Sequence, residues 1–389
     1  MKSFAYCNPT KICFGNGAVS ATGAEVAAAG MRHVLLVYGK SSILRNGVHG
    51  AVTASLKAAG VAWTEWPGVS SNPLLSHVEG GIALAREAKV DGILAVGGGS
   101  VIDTCKAIAM GVCADRPVWD FYMGEAAPQV ALPLAVVLTI PAAGSEMNGG
   151  TVVTHDETRE KRSVVAPCLH PKCSILDPET TLTVPPDYVA YSASDAISHT
   201  IESYLTRAPG FFPVQDGYAE GVVRAIMAAT ERILKDPKDV EARGAMMWAA
   251  TLAWNFLGSS GVGAWTTPAH TLEHPLSGMF DIAHGAGLAV TGPAWMTWES
   301  RRRADRVAAF ARRMMDVQLA DDAAAAAEGI ARFRAWLKKI GNPITLGECG
   351  IAAEHIPELA RHAAILAKAW GTGEEYTPEV CAEILGVFA

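Results

Sequence analysis

From Val34 to Asp177, short apolar runs rich in β-branched residues alternate with stretches whose apolar residues recur every three or four positions. Val34–Val37, Gly92–Val96, Pro133–Ile140 and Ser174–Leu176 read as strands buried on both faces. His77–Ala88 and Val101–Met110 carry the helical period between them. This alternation predicts a doubly wound α/β layer, a parallel sheet crossed by helices. After Asp177-Pro178 and Val184-Pro185-Pro186 strand-like runs become scarce. Helical windows then dominate at Asp187–Thr206, Gln215–Leu234, Val240–Leu257 and Ala323–Lys339. Two domains are expected, an α/β domain over 1–185 and an all-α domain over 186–389, divided at those prolines.

Several turns at the predicted strand ends carry small and polar residues. Gly97-Gly98-Gly99-Ser100-Val-Ile-Asp103 follows one apolar run and opens a helical pattern. Such glycines let the backbone approach a diphosphate, and the helix N-terminus offers N–H groups and partial positive charge. A tight left-handed connection is the other use of the same residues. The spacing is not GxGxxG, so an ordinary Rossmann unit is not implied. Thr139 to Asn148 follows a second buried strand at its carboxyl end, where open α/β sheets bind ligands. Asn72-Pro73 forms a third loop, which alone reads as a turn. After the first buried strand come Gly39-Lys40-Ser41-Ser42. An acidic side chain usually holds a ribose 2′-hydroxyl there, whereas Gly39 leaves room and Lys40 with Ser41 and Ser42 can receive a 2′-phosphate. The preference expected is NADP(H), with NAD(H) the alternative if Gly39 is only a turn and Lys40 faces solvent.

The second half holds a different chemistry. Asp195 and His199 are four apart, His270 and His274 are four apart, and His284 follows ten later. Residues four apart share a helix face, so two helices can aim imidazoles and a carboxylate at one point. Three nitrogens and one oxygen suit a divalent first-row metal such as Fe²⁺ or Zn²⁺ better than Ca²⁺ or Mg²⁺. For the first helix alone, Asp195, His199 and Glu202 can equally be a wet stripe opposite Ile197, Ile201, Tyr204 and Leu205. The histidine pair and the third imidazole beside Gly285-Ala-Gly287 shift the balance, since four of 11 histidines fall into the pattern. Glu202 and Glu273 are weaker candidates for orienting ligand imidazoles.

Bulk properties narrow the partners. The chain has 389 residues, 50% hydrophobic and 18% charged, enough for two sizeable cores. A formal net charge of −7 opposes nucleic-acid binding. Arg301-Arg302-Arg303, the densest basic cluster, reads as a solvated surface. The 8 cysteines form no CxxC pair, and no window approaches a membrane span. The expectation is a reduced, cytoplasmic, soluble chain.

Taken together these segments resemble the iron-containing (group III) alcohol dehydrogenase family, and within it the butanol-dehydrogenase-like, NADPH-dependent branch. The resemblance runs through Asn8-Pro-Thr-Lys-Ile, Tyr38-Gly-Lys-Ser-Ser, Gly68-Val-Ser-Ser-Asn-Pro, Gly97-Gly-Gly-Ser-Val-Ile-Asp and Gly144-Ser-Glu-Met-Asn-Gly-Gly. It continues in Glu160-Lys-Arg, Ser174-Ile-Leu-Asp-Pro, Ser194-Asp-Ala-Ile-Ser-His, His270-Thr-Leu-Glu-His-Pro-Leu-Ser and His284-Gly-Ala-Gly, and past residue 300 no diagnostic motif stands out. What it implies is a dehydroquinate-synthase-like fold with the active site between the two domains. By position, the resemblance makes Asp195, His199, His270 and His284 metal ligands and Lys161 a lysine near the cofactor. It also places His274 near the metal as a residue that is not usually a ligand. An imidazole one turn from His270 is a candidate proton relay, with packing behind the ligands or plain solvation as its other roles. The resemblance further implies a homodimer or larger homo-oligomer. The expected reaction is metal-assisted hydride transfer between NADP(H) and a small alcohol or aldehyde. A dehydroquinate-synthase-type or glycerol-dehydrogenase-type enzyme on the same fold, or a non-enzymatic dinucleotide or redox sensor, are the alternatives.

Overall fold

A computed structural model describes residues 1–389. Eight strands form, β1 (Lys11–Phe14), β2 (His33–Tyr38), β3 (Ala62–Trp66), β4 (Gly92–Gly98), β5 (Leu134–Ile140), β6 (Gly150–Thr154), β7 (Lys161–Val165) and β8 (Cys173–Leu176). Between them run α1 (Thr22–Ala28), α2 (Ser42–Arg45), α3 (Val48–Ala58), α4 (Leu75–Glu87), α5 (Gly99–Cys113) and α6 (Trp119–Met123). Six strands make one parallel sheet in the order β1-β8-β5-β4-β2-β3. The four strands expected from the apolar runs are the inner ones, whose two faces are both covered. Leu35, Val37, Ile93, Ala95, Val136 and Leu138 point into one core with α4 and α5. Val34, Leu36, Leu94, Val96, Ala135 and Val137 point into the other with α3. Each Val, Leu or Ile so buried contributes ~1.5–3 kcal/mol. The edge strands β1 and β3 mix exposed and half-buried residues, so no continuous apolar run announces them. The antiparallel hairpin β6–β7 stands apart from this sheet and carries Lys161.

The rest is helical: α7 (Pro186–Thr206), α8 (Pro213–Lys235), α9 (Val240–Ala253), α10 (Pro268–Phe280), α11 (His284–Ser300), α12 (Ala304–Met314), α13 (Asp322–Lys339), α14 (Ile356–Ala369) and α15 (Pro378–Leu385). Contacts divide the chain into an α/β unit, Cys7–Val184 with Lys238–Asn255, and a helical unit, Met1–Tyr6 with Pro185–Pro237 and Phe256–Ala389. This differs from a single cut at residue 185. The α9 helix joins the α/β unit because Gly244 packs close to Phe14 and Pro178, and Thr251 donates to the buried Glu146. The first residues join the helical unit, where Lys2 N donates to Gly261 O at 2.9 Å. No helix is long and apolar enough to cross a membrane.

Arg301–Arg303 are not merely a solvated surface. Arg303 donates to Thr206 O and Arg207 O at the C-terminal end of α7, at 3.1 and 2.7 Å. Arg301 and Arg302 pair with Glu383 and Glu375, each at 2.6 Å.

Candidate active site

Within the helical unit, α7 begins at a proline, whose missing N–H is harmless in a first turn, and runs 21 residues. Asp195, His199 and Glu202 lie on its buried side, 5%, 7% and 0% exposed, which excludes the wet-stripe alternative. The α10 helix also starts at a proline and carries His270 and His274 one turn apart, both buried, while His284 is the first residue of α11. Three imidazole Nε2 atoms converge on Asp195 Oδ1, His199 at 3.1 Å, His270 at 3.7 Å and His284 at 3.9 Å. The His199 and His270 rings stack with centroids 4.2 Å apart. Asp195 Oδ1 is buried yet accepts no hydrogen bond. An ionised oxygen so placed is costly unless a cation shares its pocket, and nitrogen and oxygen donors in this set fit a divalent first-row metal.

Two carboxylates behind the imidazoles set their orientation. Glu202 Oε2 pairs with His270 Nδ1, while its Oε1 accepts from Ala269 N at 2.6 Å and His270 N at 3.2 Å. Glu273 Oε2 pairs with His284 Nδ1. With each Nδ1 so engaged, each Nε2 lone pair is aimed at the Asp195 side, the usual arrangement behind a ligating histidine. The glycines after His284 follow from the same packing. A Cβ at Gly285 would lie 2.0 Å from Tyr191 O on α7, and one at Gly287 would lie 2.8 Å from Glu273 Oε1. Both Glu202 and Glu273 belong to the site more firmly than spacing alone indicated. The available signal was a carboxylate three residues beyond His199 and another next to His274. Glu202→Ala is expected to weaken metal binding roughly 10- to 100-fold. Competition with a chromophoric chelator measures this, and an unchanged affinity would remove Glu202 from the site.

The electrostatics prepare Asp195 and His199 as ligands but hold a proton on His270. Burial alone would raise the Asp195 carboxyl, but His199, His270 and His284 outweigh it and hold it well below the usual range. Burial, helped by His270, lowers His199, so its ring is neutral at pH 7. Burial also acts to lower His270, but Glu202 and Asp195 overcome it and push it up to about 10. His274 lies beside this group, its ring centroid 6.4 Å from that of His270 and 5.6 Å from that of His284, with Trp370 edge-on at 5.3 Å.

In the α/β unit the predicted turns gather at the carboxyl ends of the parallel strands. Gly97, Gly98 and Gly99 are not in left-handed backbone. They are needed for space, since a Cβ at Gly97 would strike Val101 at 2.4 Å and one at Gly98 would come within 2.9 Å of Ile140. The first turn of α5 has no side-chain cap and no acidic residue, which leaves its N–H groups for an anion. Ser100 Oγ donates to Ser71 O, next to Asn72, and Lys161 Nζ donates to Asn72 Oδ1 at 3.3 Å. Gly39 O accepts from Gly68 N at 3.1 Å, so the turn after β2 is stitched to the same loop. Arg45 donates to Ser41 Oγ, a cation that the residue order alone does not single out, while Lys40 and Ser42 are both exposed. Thr139 is buried near the end of β5. Asp103 and Asn148 turn their polar atoms inward: Asp103 accepts from Ser145 Oγ at 2.6 Å and Val152 N at 3.0 Å, and Asn148 donates to Gly144 O at 2.8 Å.

Comparison with known proteins agrees with both halves. Residues 9–178 match the family model described as iron-containing alcohol dehydrogenase, and residues 189–386 match the C-terminal model of the Fe-containing alcohol dehydrogenase family. NADH-dependent butanol dehydrogenase A of Clostridium acetobutylicum is 38% identical, covering 100% of this chain and 99% of that protein. An NADPH-dependent aldehyde reductase of Escherichia coli is 33% identical over 93% of this chain and 92% of its own length. The crystal structure of NADH-dependent butanol dehydrogenase A from Thermotoga maritima superposes with a TM-score of 0.97 at 39% identity, over 100% of this chain and 99% of that one. The chain therefore belongs to the iron-containing alcohol dehydrogenase family and is an NAD(P)-dependent alcohol dehydrogenase.

Proposed function

We propose that this dehydrogenase interconverts small alcohols and aldehydes with NADP(H), using one divalent ion, Fe²⁺ or Zn²⁺, held by Asp195, His199, His270 and His284. The observation that carries the reading is the convergence of three Nε2 atoms on a buried Asp195 oxygen that accepts no hydrogen bond. A divalent ion bound there supplies a Lewis acid for the substrate oxygen, and the nicotinamide supplies or accepts the hydride. The chain's own part is orientation and charge. Asp195 contributes the negative charge, and Glu202 and Glu273 lock two of the imidazoles in the tautomer that leaves Nε2 facing inward. His274, its ring centroid 6.4 Å from that of His270 and 5.6 Å from that of His284, is the group proposed to give or take the hydroxyl proton. Gly97–Ser100, Asn72, Thr139, Asn148 and Lys161 form or shape the dinucleotide cradle, with Asp103 bracing it from within.

The NADP(H) preference rests on the turn after β2. Gly39 brings no carboxylate, and Lys40 and Arg45 flank Ser41. The acidic residue on the neighbouring strand, Glu65, is already engaged by Tyr38 and His49. The NADH-dependent relatives make NAD(H) the second reading. Mixing the protein with butyraldehyde and either reduced cofactor tests the proposal. Faster loss of near-ultraviolet absorbance with NADPH supports it, and no loss with either cofactor in metal-loaded protein contradicts it.

Metal loading should also report on His270. Ligation needs its neutral imidazole, yet in the metal-free chain this group holds its proton up to about pH 10. Each ion bound at pH 7–9 should release about one proton, and affinity should rise roughly tenfold per pH unit towards pH 10. The stability sign is the opposite one. A raised folded-state pKa stabilises the metal-free chain fully below the ordinary pKa of 6.5, and that stability is lost as pH rises through about 10. Calorimetric titration in buffers of different ionisation enthalpy counts the protons, and a count of zero would show that His270 holds no extra proton in the metal-free chain.

A further inference from the structure

Lysine 106 lies on the second turn of α5 and is 0% exposed. Its ammonium has three N–H donors and five oxygen acceptors within reach. They are Ser145 O at 2.7 Å, Ser145 Oγ at 2.8 Å, Asn148 O at 2.9 Å, Asn148 Oδ1 at 3.2 Å and Gly150 O at 2.7 Å. Three of these are backbone carbonyls of one short segment, which wraps the ammonium as a loop wraps a monovalent cation. Burial pulls the pKa of Lys106 down to about 8, with Asp103 and Glu146 acting upward, so it is charged at neutral pH. Asp103, one turn before it on α5, closes the ring by accepting from Ser145 Oγ and from Val152 N. Thr151 Oγ1 in turn donates to Asp103 O at 2.8 Å.

The same helix starts at the glycine turn. Its first turn is tied through Ser100 to Ser71 and the Asn72 loop, and its second through Asp103 and Lys106 to the segment 145–152. We propose that Lys106 is a positioning residue for the dinucleotide, an internal cation that fixes the 145–150 loop relative to the glycine turn. It has no direct contact with the cofactor in this role. The cost of burying its charge is offset by the five acceptors, and the carbonyls it gathers would otherwise face one another without a donor. The inference rests on the proposal that these loops hold a dinucleotide.

The test uses full-length, metal-loaded protein and the fluorescence of bound NADPH or NADH. Lys106→Met is expected to raise the dissociation constant of the preferred cofactor at least tenfold. Its kcat should stay within about threefold at saturating cofactor, with KM for butyraldehyde and metal content unchanged. A general loss of structure would move all four together. In Lys106→Ala, n-propylammonium should restore part of the affinity, whereas tetramethylammonium at equal ionic strength, which has no N–H, should not. Should Lys106→Met not fold, Ser145→Ala carries the test, with an expected three- to tenfold weakening. Unchanged cofactor affinity in the folded variant, with normal binding by the native chain, overturns the role of Lys106 alone. Absence of binding by the native chain overturns the cradle and this role together.

Discussion

Asp195→Ala and His270→Ala are each expected to abolish metal retention and lower turnover at least about a thousandfold while leaving the fold intact. A metal acting as Lewis acid supplies several kcal/mol of charge stabilisation, and each 1.36 kcal/mol is about tenfold in rate. Asp195 matters most because its oxygen is the point on which the three Nε2 atoms converge. His270 is coupled to Asp195 and Glu202 at once, so its removal also leaves the Glu202 Oε2 carboxylate oxygen without its imidazole partner. The fold should survive because α7, α10 and α11 are packed by Ile197, Ile201, Leu272, Leu276 and Leu288, all buried and none of them in the donor set. Elemental analysis, circular dichroism and a steady-state assay separate the outcomes. A variant that keeps its metal and full activity would show the ligand assignment to be wrong.

Gly39→Asp is expected to reverse the cofactor preference. The position tolerates a side chain, since an added Cβ meets only Val69 O at 3.7 Å and the backbone is not left-handed. A carboxylate there would face the 2′-phosphate that Lys40 and Arg45 are proposed to receive. Like charges a few ångströms apart near a protein surface repel by on the order of 2–4 kcal/mol. The kcat/KM for NADPH should therefore fall by roughly 30- to 1,000-fold, while that for NADH holds or rises as the carboxylate accepts from the ribose hydroxyls. Comparing both cofactors in the native and altered proteins measures the switch. If the native chain already favours NADH and the substitution leaves NADPH use unaffected, the basic turn is not a phosphate site.

Much of this architecture is legible in the amino-acid order, and the exceptions have physical causes. Inner strands such as β4 and β5 are covered on both faces and so appear as unbroken apolar runs. The edge strands β1 and β3 are half-exposed, and their composition resembles that of loops. Helix α9 reads as a helical window, yet its residues are apolar nearly all round and do not say which core they join, so its place in the α/β unit was hidden. The pairs Asp195/His199 and His270/His274 were readable because a helix puts residues four apart side by side. The link from Glu202 to the backbone of Ala269 spans 67 positions and exists only after folding. Lys106 was the least legible of all. A lysine in an amphipathic helix is ordinarily solvated, and only the closing of segment 145–150 around it makes it internal.

Following the hydrogen itself tests metal-assisted transfer most directly. Metal-loaded protein is given butyraldehyde and NADPH deuterated at both C4 positions, and the butanol formed is analysed by mass spectrometry. The predicted product carries one deuterium on C1, is not formed after the metal is stripped, and returns when Fe²⁺ or Zn²⁺ is restored. Labelled butanol formed at an undiminished rate by the stripped protein would contradict a metal-assisted transfer at Asp195, His199, His270 and His284.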